Sequence, residues 1–205
     1  VRVDVRRDLS RSADAFIHVV WPKVRHWCRG GEVLPVEGIA NDDFNQTLDV
    51  LAGIDAWQVV DGLGMRGIAS RVQWVARRPY ASFTIRERRS SGAETELSKR
   101  LLAFSDPGGG WALPALTVQA YLREGDDELL YASMARTADI YELICSEQLD
   151  RPGSPHRRTN PADGNTFLVA WCGMLKRKGC SVAEFTADGV DVVDEGRIRS
   201  AVAVS

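Results

Sequence analysis

Apolar residues recur at helical spacing in the first stretch of the chain, ADAFIHVVWPKVRHWC, at Phe16, Val19, Val20, Val24 and Trp27. Pro22 interrupts the pattern, so it predicts a helix that kinks or ends there. GGEVLPVEG reads as a loop or a short strand. A second helix is predicted over DDFNQTLDVLAG, with Asn41 or Asp42 as N-cap, Phe44, Leu48 and Leu51 as its buried stripe and Gly53 at its end. The period then changes from helical to alternating. GIDAWQVV, RGIASRVQWV and YASFTIRERR predict three strands. The third has Ser82, Thr84, Arg86 and Arg88 on one face and Phe83 and Ile85 on the other. From about Gly92 the helical period returns, with Ala93, Leu97, Leu101 and Phe104 as the core stripe. SDPGGGW is a loop and LPALTVQAYL a strand. ELLYASMARTADIYELICSEQ passes from strand to helix with Thr137 as its N-cap. Residues 148–165 carry three prolines and no apolar period, which predicts a mobile surface loop. NTFLVAWCGML is a strand, LKRKG a short helix or turn, and VAEF, VDVV and IRSAVAV late strands or an extension.

A chain of 205 residues, 44% hydrophobic and 26% charged, fits one globular domain spanning 1–205. No apolar run approaches the roughly 20 residues of a membrane span, and no basic-then-apolar leader opens the sequence, so the expectation is a cytoplasmic protein without membrane contact. Cys28, Cys145, Cys172 and Cys180 form no CxxC pair, which points to reduced thiols rather than to zinc or disulfides. His18 and His26 receive no role. The net charge of −2 conceals a segregation: nine Lys/Arg against three Glu lie between Arg66 and Arg100, and the remainder of the chain is acidic. Such a basic segment suits a polyanion, and it equally suits solvated strand and helix faces.

The order helix, three strands, helix, strand over residues 42–122 resembles the core of the PD-(D/E)XK nuclease-like superfamily. The resemblance implies an α/β (α+β) fold with a central mixed β-sheet flanked by helices, in the restriction-endonuclease-like order α-β-β-β-α-β. It also implies a metal-dependent nucleic-acid phosphodiesterase using Mg²⁺ or Mn²⁺. In that pattern an Asp opening the first strand binds the metal, and Asp55 stands there. Arg71-x-Gln73 stands where the pattern has Glu-x-Lys. Gln73 offers a carbonyl ligand, Arg71 has no acceptor, and Val75 occupies the position two residues after Gln73. Glu96 on the following helix is the candidate for the missing carboxylate, with Lys99 beside it, and Asp42, Asp43 and Asp49 are acids on the first helix. The catalytic candidates are therefore Asp55, Gln73, Glu96 and Lys99, with Asp55 and Gln73 as metal ligands.

Each candidate also has a plainer reading. Asp55 at a strand end is placed to cap an amide or pair with an arginine. Glu96 lies three residues before Lys99 and four before Arg100, the spacing of an ordinary helix ion pair. Arg71, Arg86, Arg88 and Arg89 are candidate contacts to DNA or RNA, or the charges of an exposed sheet face. Trp57, Trp74 and Tyr80 read as packing residues. The second function is accordingly a catalytically inactive nucleic-acid- or protein-binding module on the same scaffold. A small-molecule enzyme finds no support, because no nucleophile triad, dinucleotide fingerprint or Walker motif is present.

Overall fold

The computed structural model describes residues 11–36 and 53–192, apart from 63, 77, 90, 92–94, 110, 111, 162 and 188. The helix predicted over DDFNQTLDVLAG, with Asp42, Asp43 and Asp49, lies outside these residues, as does IRSAVAV. The fold is mixed α/β.

Helix α1 (11–28) runs through Pro22 without ending. Its middle, Phe16–Val20, widens into a π turn in which the Trp21 amide reaches back to Phe16 O. That widening removes the clash between a proline ring and the carbonyl four residues earlier. The helix then tightens to a 3₁₀ turn, Arg25–Cys28, and stops at Arg29, which has φ 69°.

A seven-stranded sheet has the order β1-β2-β3-β5-β6-β9-β10. Its strands are β1 (Glu32–Pro35), β2 (Ala56–Val60), β3 (Gly64–Val75), β5 (Leu116–Arg123), β6 (Leu129–Arg136), β9 (Val182–Thr186) and β10 (Gly189–Val192). Every neighbouring pair is antiparallel except β3 and β5. Alternation along β5 explains the two layers that cover the sheet. Leu116, Val118, Ala120 and Leu122 join Ile68, Val72, Met134 and Ala183 in a core with Phe16, Val20, Val24 and Trp27 of α1. The opposite face carries Thr117, Gln119 and Tyr121. The register sets Arg71, Gln119, Ser133 and Glu184 side by side across four strands of it.

The second layer holds a three-stranded sheet, β4-β8-β7, made of β4 (Ser82–Arg88), β8 (Thr166–Trp171) and β7 (Arg157–Thr159). With it pack α2 (Glu96–Ser105), α3 (Thr137–Ser146) and α4 (Cys172–Arg177). Phe83 and Ile85 form a core there with Leu97, Ile140, Ile144, Leu168 and Leu175, and Leu101 and Phe104 pack on it partly buried.

The strand, strand, strand, helix, strand order between β2 and β5 is the one the sequence predicts. Its arrangement differs in one respect, which is that the third strand leaves the sheet. Both edges of β3 are occupied, by β2 and β5, so β4 takes β8 as its ladder partner instead. The other edge of β4 stands on the polar face of the large sheet. Gln119 Oε1 accepts from the Thr84 amide (3.3 Å) and hydroxyl (3.0 Å), Arg71 Nη1 donates to Thr84 O (3.4 Å), and Thr95 Oγ1 donates to Arg86 O (2.6 Å). Side chains thereby serve as the missing neighbour strand. The hydroxyl-bearing face of β4 is consequently an inner face over Ser82 and Thr84.

Two smaller expectations also change. Residues 148–165 contain β7, antiparallel to β8, and bury Leu149 and Ser154, so part of this segment is held in a sheet. Thr137 is the first helical residue of α3 and not its cap. Its hydroxyl is taken by Thr117 Oγ1 at 2.9 Å, and Arg136 holds the cap position.

All four cysteines are free. Burial pushes the Cys28 and Cys172 thiols up to about 11, while Cys145 is exposed. Iodoacetamide at pH 8 is therefore expected to modify Cys145 first and to leave Cys28 and Cys172 unmodified until denaturant is added, as read by peptide mass spectrometry. Early modification of Cys172 would contradict the packing of α4.

Candidate functional site

Asp55 precedes β2 and ends its ladder. Its amide donates to Ile68 O (2.9 Å), its carbonyl accepts from Val36 N (3.1 Å), and its Oδ2 accepts from the Ser70 amide (2.6 Å). The carboxylate thus stands where the next strand carbonyl would be, the amide-capping role that its position permits. Gln73 lies three residues beyond Ser70, about 10 Å further along β3 at the usual strand rise. Its Oε1 accepts from Gln119 Nε2 at 3.3 Å. Ligands of one Mg²⁺ each sit about 2 Å from the ion, so Asp55 and Gln73 are too far apart to share one.

Glu96 opens α2 and forms an ion pair with Arg100, the partner four residues on and not Lys99. This is not a solvent-exposed helix pair, because the Arg100 side chain is only 3% exposed. Arg100 Nη2 also donates to Gly53 O at 2.6 Å, tying α2 to the turn before Asp55. Burial opposes the Arg100 charge, but Glu96, then Tyr141 and Asp55, outweigh it, and its pKa is raised. Gly53 has φ +58°, and a Cβ there would lie 3.0 Å from the guanidinium, so the close approach needs glycine. Lys99 is half-buried on the same helix. Glu96 held by Arg100, Asp55 held by the Ser70 amide and a distant Gln73 do not make a donor set for Mg²⁺ or Mn²⁺. Among the described residues no group of three or more His, Cys, Asp or Glu is placed to hold a metal.

The arginines, in contrast, converge. Phe167 of β8 lies directly opposite Arg86 of β4 on one side and Arg158 of β7 on the other, so the three share a face of the small sheet. The Arg71 guanidinium reaches over from the large sheet to stand 4.7 Å from the centre of the Phe167 ring. Burial lowers the Arg71 pKa; Glu96 works against that, and the nearby Arg86 lowers it further. The register slips between Arg86 and Arg88, so Arg88 pairs with Thr166 instead of continuing the row of Ser82, Thr84 and Arg86. Arg88 and Arg89 are exposed at the end of the strand, as is Arg158. Glu87 turns to Arg157, which donates Nε to Oε2 at 2.7 Å and Nη2 to Oε1. Among the described residues, none of Arg71, Arg86, Arg88, Arg89 and Arg158 forms an ion pair.

Sequence reasoning missed Phe167 and Arg158. Both sit in runs whose local pattern is ordinary, and only the long-range pairing of β4, β8 and β7 brings them to Arg86. Of the aromatic residues, Trp57 packs on Val36 and Ile54. Trp74 donates to Asp127 under the Arg11 guanidinium, which lies 4.0 Å from its ring centre. Tyr80 is not a packing residue, being 62% exposed.

The Glu87–Arg157 fork holds β7 beside β4. A double-mutant cycle with Glu87→Gln and Arg157→Gln, read by urea denaturation, is expected to show a coupling of about 1 kcal/mol, at the upper end for a partly exposed pair. Strict additivity would mean that the fork does not hold β7.

No protein-family model, no curated protein and no solved structure matches this chain.

Proposed function

We propose that the chain is a nucleic-acid-binding module that does not cleave its ligand, with its interface at the end of the small sheet. The observation that carries this reading is the gathering of Arg86, Arg88, Arg89 and Arg158 around Phe167, without carboxylate partners among the described residues. Guanidinium groups at that density repel one another unless an anion is near, and their planar donor forks match phosphate oxygens. The candidate catalytic residues support binding over hydrolysis, because Asp55 and Glu96 are engaged in the fold and Gln73 is remote from both.

The test is fluorescence anisotropy with labelled single- and double-stranded DNA and RNA, followed by gel analysis after incubation with Mg²⁺ or Mn²⁺. The expected result is binding that weakens steeply between about 50 and 200 mM salt, with the oligonucleotide recovered intact. No binding at low salt, or binding indifferent to salt, would favour a protein partner. Cut product that disappears with EDTA would restore the phosphodiesterase reading.

A further inference from the structure

We infer that the recess between Arg71 and Arg86 receives the phosphomonoester end of a nucleic-acid chain, a site distinct from the exposed arginines that would follow its backbone. This deepens the binding reading above and rests on it.

The argument begins with where the two guanidiniums come from. Arg71 rises from the polar face of the large sheet, and Arg86 belongs to the strand whose edge stands on that face. They meet at Phe167, Arg71 over the ring and Arg86 directly across the ladder from it. Both are half-buried. Arg71 makes one long hydrogen bond, 3.4 Å to Thr84 O, and Arg86 Nε is buried with no hydrogen-bond partner. A buried donor without an acceptor is uncommon in folded proteins and marks a place where an acceptor belongs.

The surrounding charges point the same way. The ionisable groups that act on Arg71 are Glu96 of α2, Arg86 of β4, Tyr121 of β5 and Asp55. Glu96 is held by Arg100, which leaves Asp55, already bonded to the Ser70 amide, as the carboxylate set against two guanidiniums. The local potential is positive. In such a potential a phosphomonoester, with close to two negative charges at neutral pH, gains about twice what a diester gains. Access selects in the same direction, because a diester carries chain on both sides of its phosphorus and a terminal phosphate on one side only. A chain end is therefore the phosphate form that enters a recess between two sheets, while internal phosphates meet the exposed Arg88, Arg89 and Arg158.

The experiment compares one labelled ten-nucleotide DNA carrying a 5′-phosphate, a 3′-phosphate or hydroxyls at both ends, each titrated by anisotropy at fixed salt. One phosphorylated form is expected to bind about tenfold more tightly than the dihydroxyl form, the scale of one charge-assisted bidentate contact. Arg86→Gln should abolish that preference while keeping the melting temperature, since its Nε holds no partner. Arg71→Gln should abolish it too, with circular dichroism confirming the fold. Arg88→Ala should weaken all three oligonucleotides alike and keep the preference. Equal binding of the three ends by wild type, or a preference that survives Arg86→Gln, overturns the inference and leaves the module reading intact. Failure of every oligonucleotide to bind overturns both.

Discussion

Replacing Arg100 with Met is expected to destabilise the protein by about 3 kcal/mol, the lower part of the range for breaking a buried ion pair. Arg100 is 3% exposed, pairs with Glu96 within α2 and donates to Gly53 O at 2.6 Å. Its removal leaves the Gly53 carbonyl without that donor and the Glu96 carboxylate without its counter-charge. Because Glu96 retains 29% exposure and can turn towards water, the cost falls short of that for a fully enclosed charge. Urea denaturation measures it, with an unchanged m-value showing that the folded state keeps its compactness. A loss below about 1 kcal/mol, the scale of a surface pair, would mean that α2 is not anchored through this residue.

Asp55→Ala is expected to cost about 2 kcal/mol, the scale of a hydrogen bond to a charged group together with the stranded amide it leaves behind. The Ser70 amide would lose its acceptor at 2.6 Å, and Arg71 and Arg100 would lose a nearby negative charge. Asp55→Asn keeps an acceptor and should recover part of the loss. Oligonucleotide affinity should be unchanged in both variants at a temperature where they are folded. The metal-ligand reading makes the opposite forecast, little change in stability and loss of a Mg²⁺- or Mn²⁺-dependent activity. Measuring both quantities on one preparation separates the two.

The alternation in GIDAWQVV, RGIASRVQWV and SFTIRER was legible because a strand with one apolar face writes its period into the sequence. The helical stripe through Leu97, Leu101 and Phe104 was legible for the same reason. Which strands pair was not. β4 exchanges β3 for β8 because β5, reached only after α2, fills the place beside β3, and no local pattern encodes that competition. Pro22 announced a disturbance in α1, but the π turn that absorbs it depends on packing against the sheet. The three-residue strand β7 was hidden among prolines and arginines, since so short a strand has no period to read.

At the site, the clustering of basic residues between Arg66 and Arg100 was visible as composition. Its division into Arg100 inside the fold, Arg71 and Arg86 at the recess and Arg88 and Arg89 outside was not. A register slip of one residue between Arg86 and Arg88 decides which face each takes, and it arises in the ladder with β8. Asp55 was singled out correctly as a carboxylate in an apolar strand that needs a partner. Its printed partner is a backbone amide, which the spacing of side chains along the strand could not reveal.

The salt dependence of nucleic-acid binding by the triple variant Arg86→Ala, Arg88→Ala, Arg89→Ala tests the central claim most directly. Each phosphate contact adds about 0.9 to the slope of log affinity against log salt on duplex DNA. If these arginines meet phosphates, the triple variant should bind more weakly and its slope should be shallower by about 2 to 3. A wild-type slope retained in a folded triple variant would contradict the account, because the phosphates would then be met elsewhere on the molecule.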